Sequence, residues 1–268
     1  MKEIETSRSP WEIALKNRED KNIYVNLSFD LELALNGSFW RGDLKSSLAY
    51  SELALANIAD ILPRLNASHI QYNVQICGGL LEPDFSSLPF LSAEQGECLR
   101  SNRKMFLLDE SLLNDLKRTN VDAGIHSFSH RDFQKLSRQE IIWEIEKSIE
   151  TYRKYFLAPP GFMAFPNNSP DNENVISDFS LCYRANNNGV PPTKRSIPKG
   201  LYWHPLSLSP EELKKLIAAM SGQRPLFLHL WQHFTETNAE QMQEYLNVLR
   251  MFDCRLVNMK SFLSLLSD

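Results

Sequence analysis

Apolar and polar positions divide the chain into short segments of two kinds. Asn22–Phe29 (NIYVNLSF) is rich in β-branched and aromatic residues and predicts a buried strand. From Leu44 to Leu62 apolar residues recur at helical spacing, and Pro63 marks the predicted end of that helix. A second strand is predicted near His69–Cys77, closed by Gly78-Gly79, followed by an irregular surface segment over Leu80–Lys104, where prolines, serines and Gly96 interrupt any period. Asp109–Lys117 predicts a short helix and Val121–Ile125 a short strand. Ser137-Arg138-Gln139-Glu140 has the form of a capping box opening a helix that runs to about Phe156.

The alternation continues after Pro159-Pro160. Gly161–Phe165 predicts a strand, Asp171–Phe179 a helix and Leu181–Arg184 another strand. Asn186-Asn187-Asn188-Gly189 is a turn cluster, and a Pro/Lys/Arg-rich loop follows it. Glu211–Met220 predicts a helix, Pro225–His233 the most hydrophobic strand, and Asn238–Phe252 a further helix. Cys254–Val257 and Ser261–Leu266 form a last strand–helix pair. Strands alternating with helices imply an α/β fold with a parallel sheet and right-handed crossovers, open or closed into a barrel. No repeat or low-complexity linker divides the chain, so a single domain over 1–268 is expected, with 1–20 a polar N-terminal extension.

Composition narrows the function classes. The chain has 268 residues, 29 Lys+Arg against 33 Asp+Glu, and a formal charge of −4. Such a balance gives no electrostatic footprint for nucleic acid or an anionic membrane. No apolar run approaches the ~20 residues that span a bilayer. The mixed-charge start, MKEIETSRSPWEIALKNRED, lacks an apolar signal core, so a cytoplasmic location is expected. Cys77, Cys98, Cys182 and Cys254 are widely spread, and reduced thiols are the simpler reading.

In a fold of this kind reactive groups gather at the carboxyl ends of strands. The first strand ends in Ser28-Phe29-Asp30-Leu31-Glu32, and an extended backbone turns both carboxylates to one side. The strand at Val121 runs into Gly124-Ile-His-Ser-Phe-Ser-His130. Imidazoles four apart share a face when the segment is helical or tightly turned, which suits one divalent metal, and a carboxylate completes a His-His-acid set. In Pro225–His233, Phe227, His229, Trp231 and His233 face one way. Only His233 reaches the strand's carboxyl end, which makes it the acid–base candidate, while His229 is expected to pack lower in the core.

With these three places fixed, the chain resembles the polysaccharide deacetylase family, carbohydrate esterase family four, and within it the branch whose first motif reads Asp-x-Glu. Leu27-Ser-Phe-Asp-Leu-Glu32 resembles the first motif, and His126-Ser-Phe-Ser-His130 the His-Ser/Thr-x-x-His metal motif. Phe165-Pro-Asn-Asn168 is similar to a Phe-Pro-Arg-Asn motif, and His229-Leu-Trp-Gln-His233 to a closing His-Leu-Trp-x-His. The order and spacing agree from about Asn22 to Leu266. The resemblance implies a distorted (β/α) barrel of about seven parallel strands, and a metal-dependent hydrolase that removes an acyl group, acetyl by expectation, from an amino sugar. It makes Asp30 the general base and His233 the acid. His126 and His130 hold one divalent metal, expected to be zinc, while Asn167, Asn168 and Trp231 face the substrate.

The chain also departs from that pattern. Leu31 stands where the third metal ligand usually follows the base, and Glu32 is the replacement read here; the reverse assignment, Asp30 as ligand and Glu32 as base, stays open. Asn167 occupies the place of an arginine that orients the base. Phe234 replaces a proline after the closing histidine, and Thr235-Glu236-Thr237 departs from the usual run there. Trp40-Arg41 is expected to follow a substrate-facing loop. A cytoplasmic deacetylase points to a small or precursor substrate in polysaccharide biosynthesis, such as a nucleotide sugar, a glycoside or a lipid-linked sugar. The other readings are a deformylase of formamido-sugars or a related amidohydrolase, and a non-catalytic carbohydrate-binding derivative of the fold.

Overall fold

A computed structural model of the chain describes residues 22–82, 88, 90–168, 175–184, 202–203, 209–220 and 225–267. Its centre is a parallel sheet built from β1 (Ile23–Leu31), β2 (Tyr72–Ile76), β3 (Val121–Ile125), β4 (Phe162–Ala164), β5 (Cys182–Arg184), β6 (Tyr202–Trp203), β7 (Leu226–His233) and β8 (Arg255–Leu256). The order is β5-β4-β3-β2-β1-β7-β6, with β8 alongside the start of β1. Flanking helices are α1 (Gly37–Trp40), α2 (Leu44–Ala67), α3 (Ala93–Ser101), α4 (Glu110–Leu116), α5 (Arg138–Phe156), α6 (Pro210–Met220), α7 (Ala239–Met251) and α8 (Met259–Ser267). This is the distorted (β/α) barrel expected from the sequence, in the form of a half-barrel.

The two faces of the sheet differ in chemistry. On β1, Val25, Leu27, Phe29 and Leu31 pack into the large apolar core beneath the helices. Each such side chain, fully buried, contributes about 1.5–3 kcal/mol. The alternate residues Asn26, Ser28 and Asp30 face the barrel interior and are also buried. They form a polar ladder: Asn26 donates to Asn73 Oδ1 at 2.7 Å, and Ser28 Oγ to Gln75 Oε1 at 2.6 Å. Lower down, Tyr24, Phe162, Phe227 and Phe262 fill the interior with a separate apolar plug. The barrel is thus closed by aromatics at one end and polar toward the other, where strand carboxyl ends open to solvent.

Most predicted elements form where the sequence places them. The helix starting at Leu44 does not stop at Pro63 but runs to Ala67. Pro63 and Ala59 both face solvent, so the missing backbone bond falls on the wet side, while buried Leu62 and Leu65 hold the final turn against the core. The segment 80–104, predicted irregular, contains α3, opened by a Ser92/Gln95 capping box. Val175–Asp178 forms one 3₁₀ turn, and β6 is a short strand not predicted from the sequence. Residues 1–20, the start of the 171–179 helix, the 186–189 turn and the basic loop after it lie outside the described residues. None of the four cysteines is disulfide-bonded.

Candidate active site

Register alone sets two of the proposed residues side by side. β1 and β7 pair in parallel from Ile23↔Leu226 to Asp30↔His233, and partners in such a ladder point to the same face. The pairs Asn26/His229, Ser28/Trp231 and Asp30/His233 therefore climb the interior in step. His229 lies two rungs down, fully buried, with Nδ1 2.8 Å from Asn26 Oδ1, as expected for a core histidine. Asp30 and His233 reach the open end. Glu32 follows β1 in an αR conformation (φ −118°, ψ −19°) rather than an extended one, and still delivers its carboxylate to the same cleft.

The His126–His130 segment is a tight turn, not a helix. Ser127 and His130 both adopt positive φ, 59° and 61°. Conformations of this kind cost about 1–3 kcal/mol each and persist when the surroundings over-determine them. Gly78 and Gly79 N–H groups donate to the carbonyls of Ser127 and Phe128 at 2.9 and 2.7 Å. Ser148 Oγ donates to Ser127 O at 3.0 Å, and Ser127 Oγ accepts the His130 N–H at 3.0 Å. From α5, the fully buried carboxylate of Glu144 accepts the N–H groups of Phe128 and Ser129 at 3.0 and 2.8 Å, the Ser129 hydroxyl and Arg131 Nε. The Gly124 position of β3 admits no side chain, because a Cβ would lie 2.7 Å from Phe162 O on β4.

These elements converge on one acidic and imidazole-rich point. Glu32 Oε2 is 2.7 Å from His130 Nε2, and Glu32 Oε1 is 3.2 Å from His233 Nε2. Tyr50 of α2 donates its hydroxyl to Glu32 Oε1 at 2.9 Å. His126 Nδ1 lies 2.8 Å from Ala164 O, which makes Nδ1 the protonated nitrogen and leaves the Nε2 lone pair aimed inward. Ligand atoms of Glu32, His126 and His130 all lie within 4.8 Å of one another. His126 Nε2 and Asp30 Oδ1 are buried without a hydrogen-bond partner. Two imidazoles and one carboxylate whose ligand atoms face one another fit a divalent cation.

Burial and charge set the protonation states. Burial pushes His126 down to about 4, so it stands neutral, the form that ligates a metal. Burial alone would raise Glu32, but the charges of His130 and His233 and the His130 hydrogen bond hold it well below the usual carboxylate range. His233 goes the other way. Burial disfavours its cation, yet the Glu236 hydrogen bond and the charges of Glu32 and Asp30 outweigh this and raise it to about 9. Tyr50 is pushed well up by burial and by Glu32, so it remains a donor.

Three residues that the sequence reading passed over complete the site. Arg184, at the end of β5 and fully buried, forms an ion pair with Asp30 Oδ2 and bonds Asn168 Oδ1 at 3.1 Å. Its guanidinium lies 4.3 Å from the Trp231 ring centre. Where the family pattern has an arginine at the place of Asn167, Arg184 of the next strand stands against Asp30. A lone arginine ending the apolar run Leu181-Cys-Tyr-Arg184 was the signal for it. Glu236 clamps His233 twice, with Oε1 2.9 Å from Nδ1 and Oε2 accepting the backbone N–H at 2.8 Å. Tyr50 is the third. Asn167 and Asn168, both at positive φ, line the same ≈ 360 Å³ cleft as Trp231, Arg41, Asp30 and His233.

Residues 56–182 match the family model for polysaccharide deacetylase. That match covers just under half of the chain, which is similar to the family over those residues. Solved structures share the fold over most of the chain at low identity. A carbohydrate esterase family 4 pseudoenzyme from Bacillus anthracis is 14% identical with a TM-score of 0.53, covering 90% of this chain and 66% of that one. The chitin deacetylase of Colletotrichum lindemuthianum is 13% identical, with a TM-score of 0.51 and coverages of 91% and 87%. A family 4 acetyl xylan esterase from Clostridium thermocellum, solved with a cobalt ion, is 13% identical with a TM-score of 0.52, covering 91% of both chains. The chain therefore spans about two thirds of the length of the Bacillus anthracis pseudoenzyme. No curated protein matches the sequence. Among the described residues, no helix is long and apolar enough to cross a membrane.

Proposed function

We propose that this chain is a member of the polysaccharide deacetylase family and a metal-dependent amidohydrolase that removes an N-acetyl group from an amino sugar or a sugar-containing precursor. One observation carries the reading. A carboxylate with a free inward oxygen, Asp30, and a histidine clamped to stay protonated, His233, flank a cation-fitting set of Glu32, His126 and His130 in one cleft. Such a cation, zinc by the N/O character of the donors, supplies Lewis acidity: it polarises the acyl carbonyl and makes water a stronger nucleophile near neutral pH.

The chain's own residues move the protons. Arg184 occupies one oxygen of Asp30 and leaves the other for a water proton. As that proton passes to Asp30, the water oxygen forms its bond to the acyl carbon. The C–N bond then breaks as His233 Nε2 gives its proton to the departing nitrogen, yielding the free amine and the carboxylic acid. Glu236 on Nδ1 holds the ring in the orientation that turns Nε2 to the cleft. Each such proton-transfer group is typically worth about 10²–10⁴-fold in rate. Arg184 and the proximity of Glu32 to His130 support Asp30 as base and Glu32 as ligand over the reverse.

The test is acetate release from a panel of N-acetylated sugars by zinc-loaded protein and by the same protein stripped with a chelator. Turnover that depends on the metal supports the reading; undiminished turnover in the stripped protein refutes it. Formate release from formamido-sugars in its place would move the assignment to a deformylase. The presence of a pseudoenzyme among the structural relatives keeps a non-catalytic reading in view. Native protein that holds no divalent ion yet binds sugars would establish that one instead.

A further inference from the structure

The cleft holds one cation that the proton chemistry leaves unused. Its acids are accounted for: Asp30 pairs with Arg184, and Glu32 sits among His130, His233 and Tyr50. Arg41, at the cleft rim, has no carboxylate within ion-pair distance among the described residues. Its nearest acidic neighbour in sequence, Asp43, is committed to capping α2 by accepting the Ser46 N–H at 3.1 Å. Arg41 Nη2 donates to Ser38 Oγ at 3.0 Å, and Nη1 lies 3.0 Å from where a Gly37 Cβ would stand. Glycine at 37 thus leaves room for the guanidinium to lie along the cleft wall. Asn167 Oδ1 approaches that same point to 3.8 Å.

The turn that carries Arg41 is bolted to the reaction centre. Trp40 Nε1 donates to Ser129 O, next to His130, at 2.6 Å. On the other side Gln95 Nε2 donates to Phe39 O at 2.8 Å, and Phe39 is buried against Phe106. Asn36 accepts the Ser38 N–H at 2.8 Å. These bonds fix the backbone of the turn relative to the histidines, so the exposed Arg41 side chain swings from a fixed base at the cleft rim, within reach of a second group on a substrate. A planar guanidinium matches a phosphate or a carboxylate.

We propose that the cleft takes an acidic amino sugar, one bearing a phosphate or a carboxylate in addition to the N-acyl group, and that Arg41 binds the anionic group. This rests on the deacetylase reading and narrows its substrate class. Wild-type and Arg41→Gln proteins, both zinc-loaded, are compared on N-acetylglucosamine 1-phosphate, on an N-acetylated uronic acid and on the neutral methyl glycoside of N-acetylglucosamine, at constant ionic strength. A charge-assisted contact is expected to favour the acidic substrates by about tenfold or more in kcat/KM, and Arg41→Gln to collapse that ratio. The two acidic arms distinguish phosphate from carboxylate. Inorganic phosphate should compete with substrate in the wild type and about tenfold more weakly in the variant. Equal kcat/KM on acidic and neutral sugars, or a preference that survives in Arg41→Glu, overturns the proposal. If no sugar is turned over, the deacetylase reading fails by itself. Calorimetric binding of the same sugars then decides the Arg41 contact, by whether Arg41→Gln abolishes a preference for the acidic ones.

Discussion

Glu144 touches no proposed ligand, yet its removal is expected to disable the metal site. In Glu144→Ala the backbone N–H groups of Phe128 and Ser129 lose their acceptor in a fully buried place. An orphaned buried donor costs about 1–3 kcal/mol, so the pair costs about 2–6 kcal/mol, a large part of the ~5–15 kcal/mol that holds a domain folded. Arg131 adds less, because it keeps Glu140 at 2.9 Å. Glu144→Gln is the gentler probe. Its amide oxygen can still accept from Phe128 and Ser129, and the Ser129 hydroxyl can rotate to accept from the amide, so only Arg131 Nε faces a donor. For Gln the expected destabilisation is about 1–3 kcal/mol. Zinc affinity should fall about 10–100-fold, the usual effect of loosening the shell behind a ligand. Urea unfolding of the apo protein measures the first quantity, and competition with a chromophoric chelator the second. If the Gln variant binds zinc with wild-type affinity, the idea that Glu144 holds the strained turn in its ligating shape is wrong.

Other outcomes follow from the same geometry. Asp30→Asn and His233→Ala should each lower kcat by about 10²–10⁴-fold while zinc binding, read by metal analysis, stays intact; full activity in either removes the role given to it. His233 must be protonated to act, and its pKa is raised to about 9, so activity is present below that pH and lost as pH climbs through it. A cation on Glu32 offsets one of the charges that raise it, whereas the Glu236 hydrogen bond remains, so Glu236→Gln should move the alkaline limb of kcat/KM to lower pH; an unmoved limb rejects the clamp. Arg184→Met should reduce kcat far more than zinc affinity, since the pair orients Asp30 rather than the ligands; a proportional loss of both would show that the pair merely holds the barrel together. Zinc at 100 times its Kd should stabilise the fold by about 2.7 kcal/mol, visible as a raised melting temperature that a chelator reverses.

What the sequence made legible was set by local chemistry. β1 and β7 were readable because their outward rows, Val25, Leu27, Phe29 and Leu226, Leu228, Leu230, are apolar, and the imidazole pair because His126 and His130 follow the strand that starts at Val121. The polar ladder Asn26, Ser28, Asp30 alternates inside what reads as one apolar run, so the interior chemistry of the barrel was hidden beneath its own packing face. Pro63 misled because a proline ends a helix only when the lost bond matters, and here it faces water. The Ser92/Gln95 capping box was present but outweighed by the flanking prolines and serines. Arg184 and Glu236 were missed for different reasons. Arg184 meets Asp30 from a position 154 residues away, which spacing cannot reveal. Glu236 is only three residues from its histidine, but its reach depends on a turn whose shape the sequence does not spell out.

The Asp30–Arg184 pair joins an inner strand, β1, to the edge strand β5, which is attached to the sheet through three residues of β4. Under the proposed mechanism, alignment of the water's proton acceptor is therefore tied to whether that marginal strand is docked. Fraying at the sheet's edge would release Arg184 and misalign Asp30 without disturbing Glu32, His126 or His130. An intact Glu32, His126 and His130 cluster and lost turnover are then expected to coexist, and mutations that loosen the edge would resemble lesions at the cleft while sparing every residue that lines it.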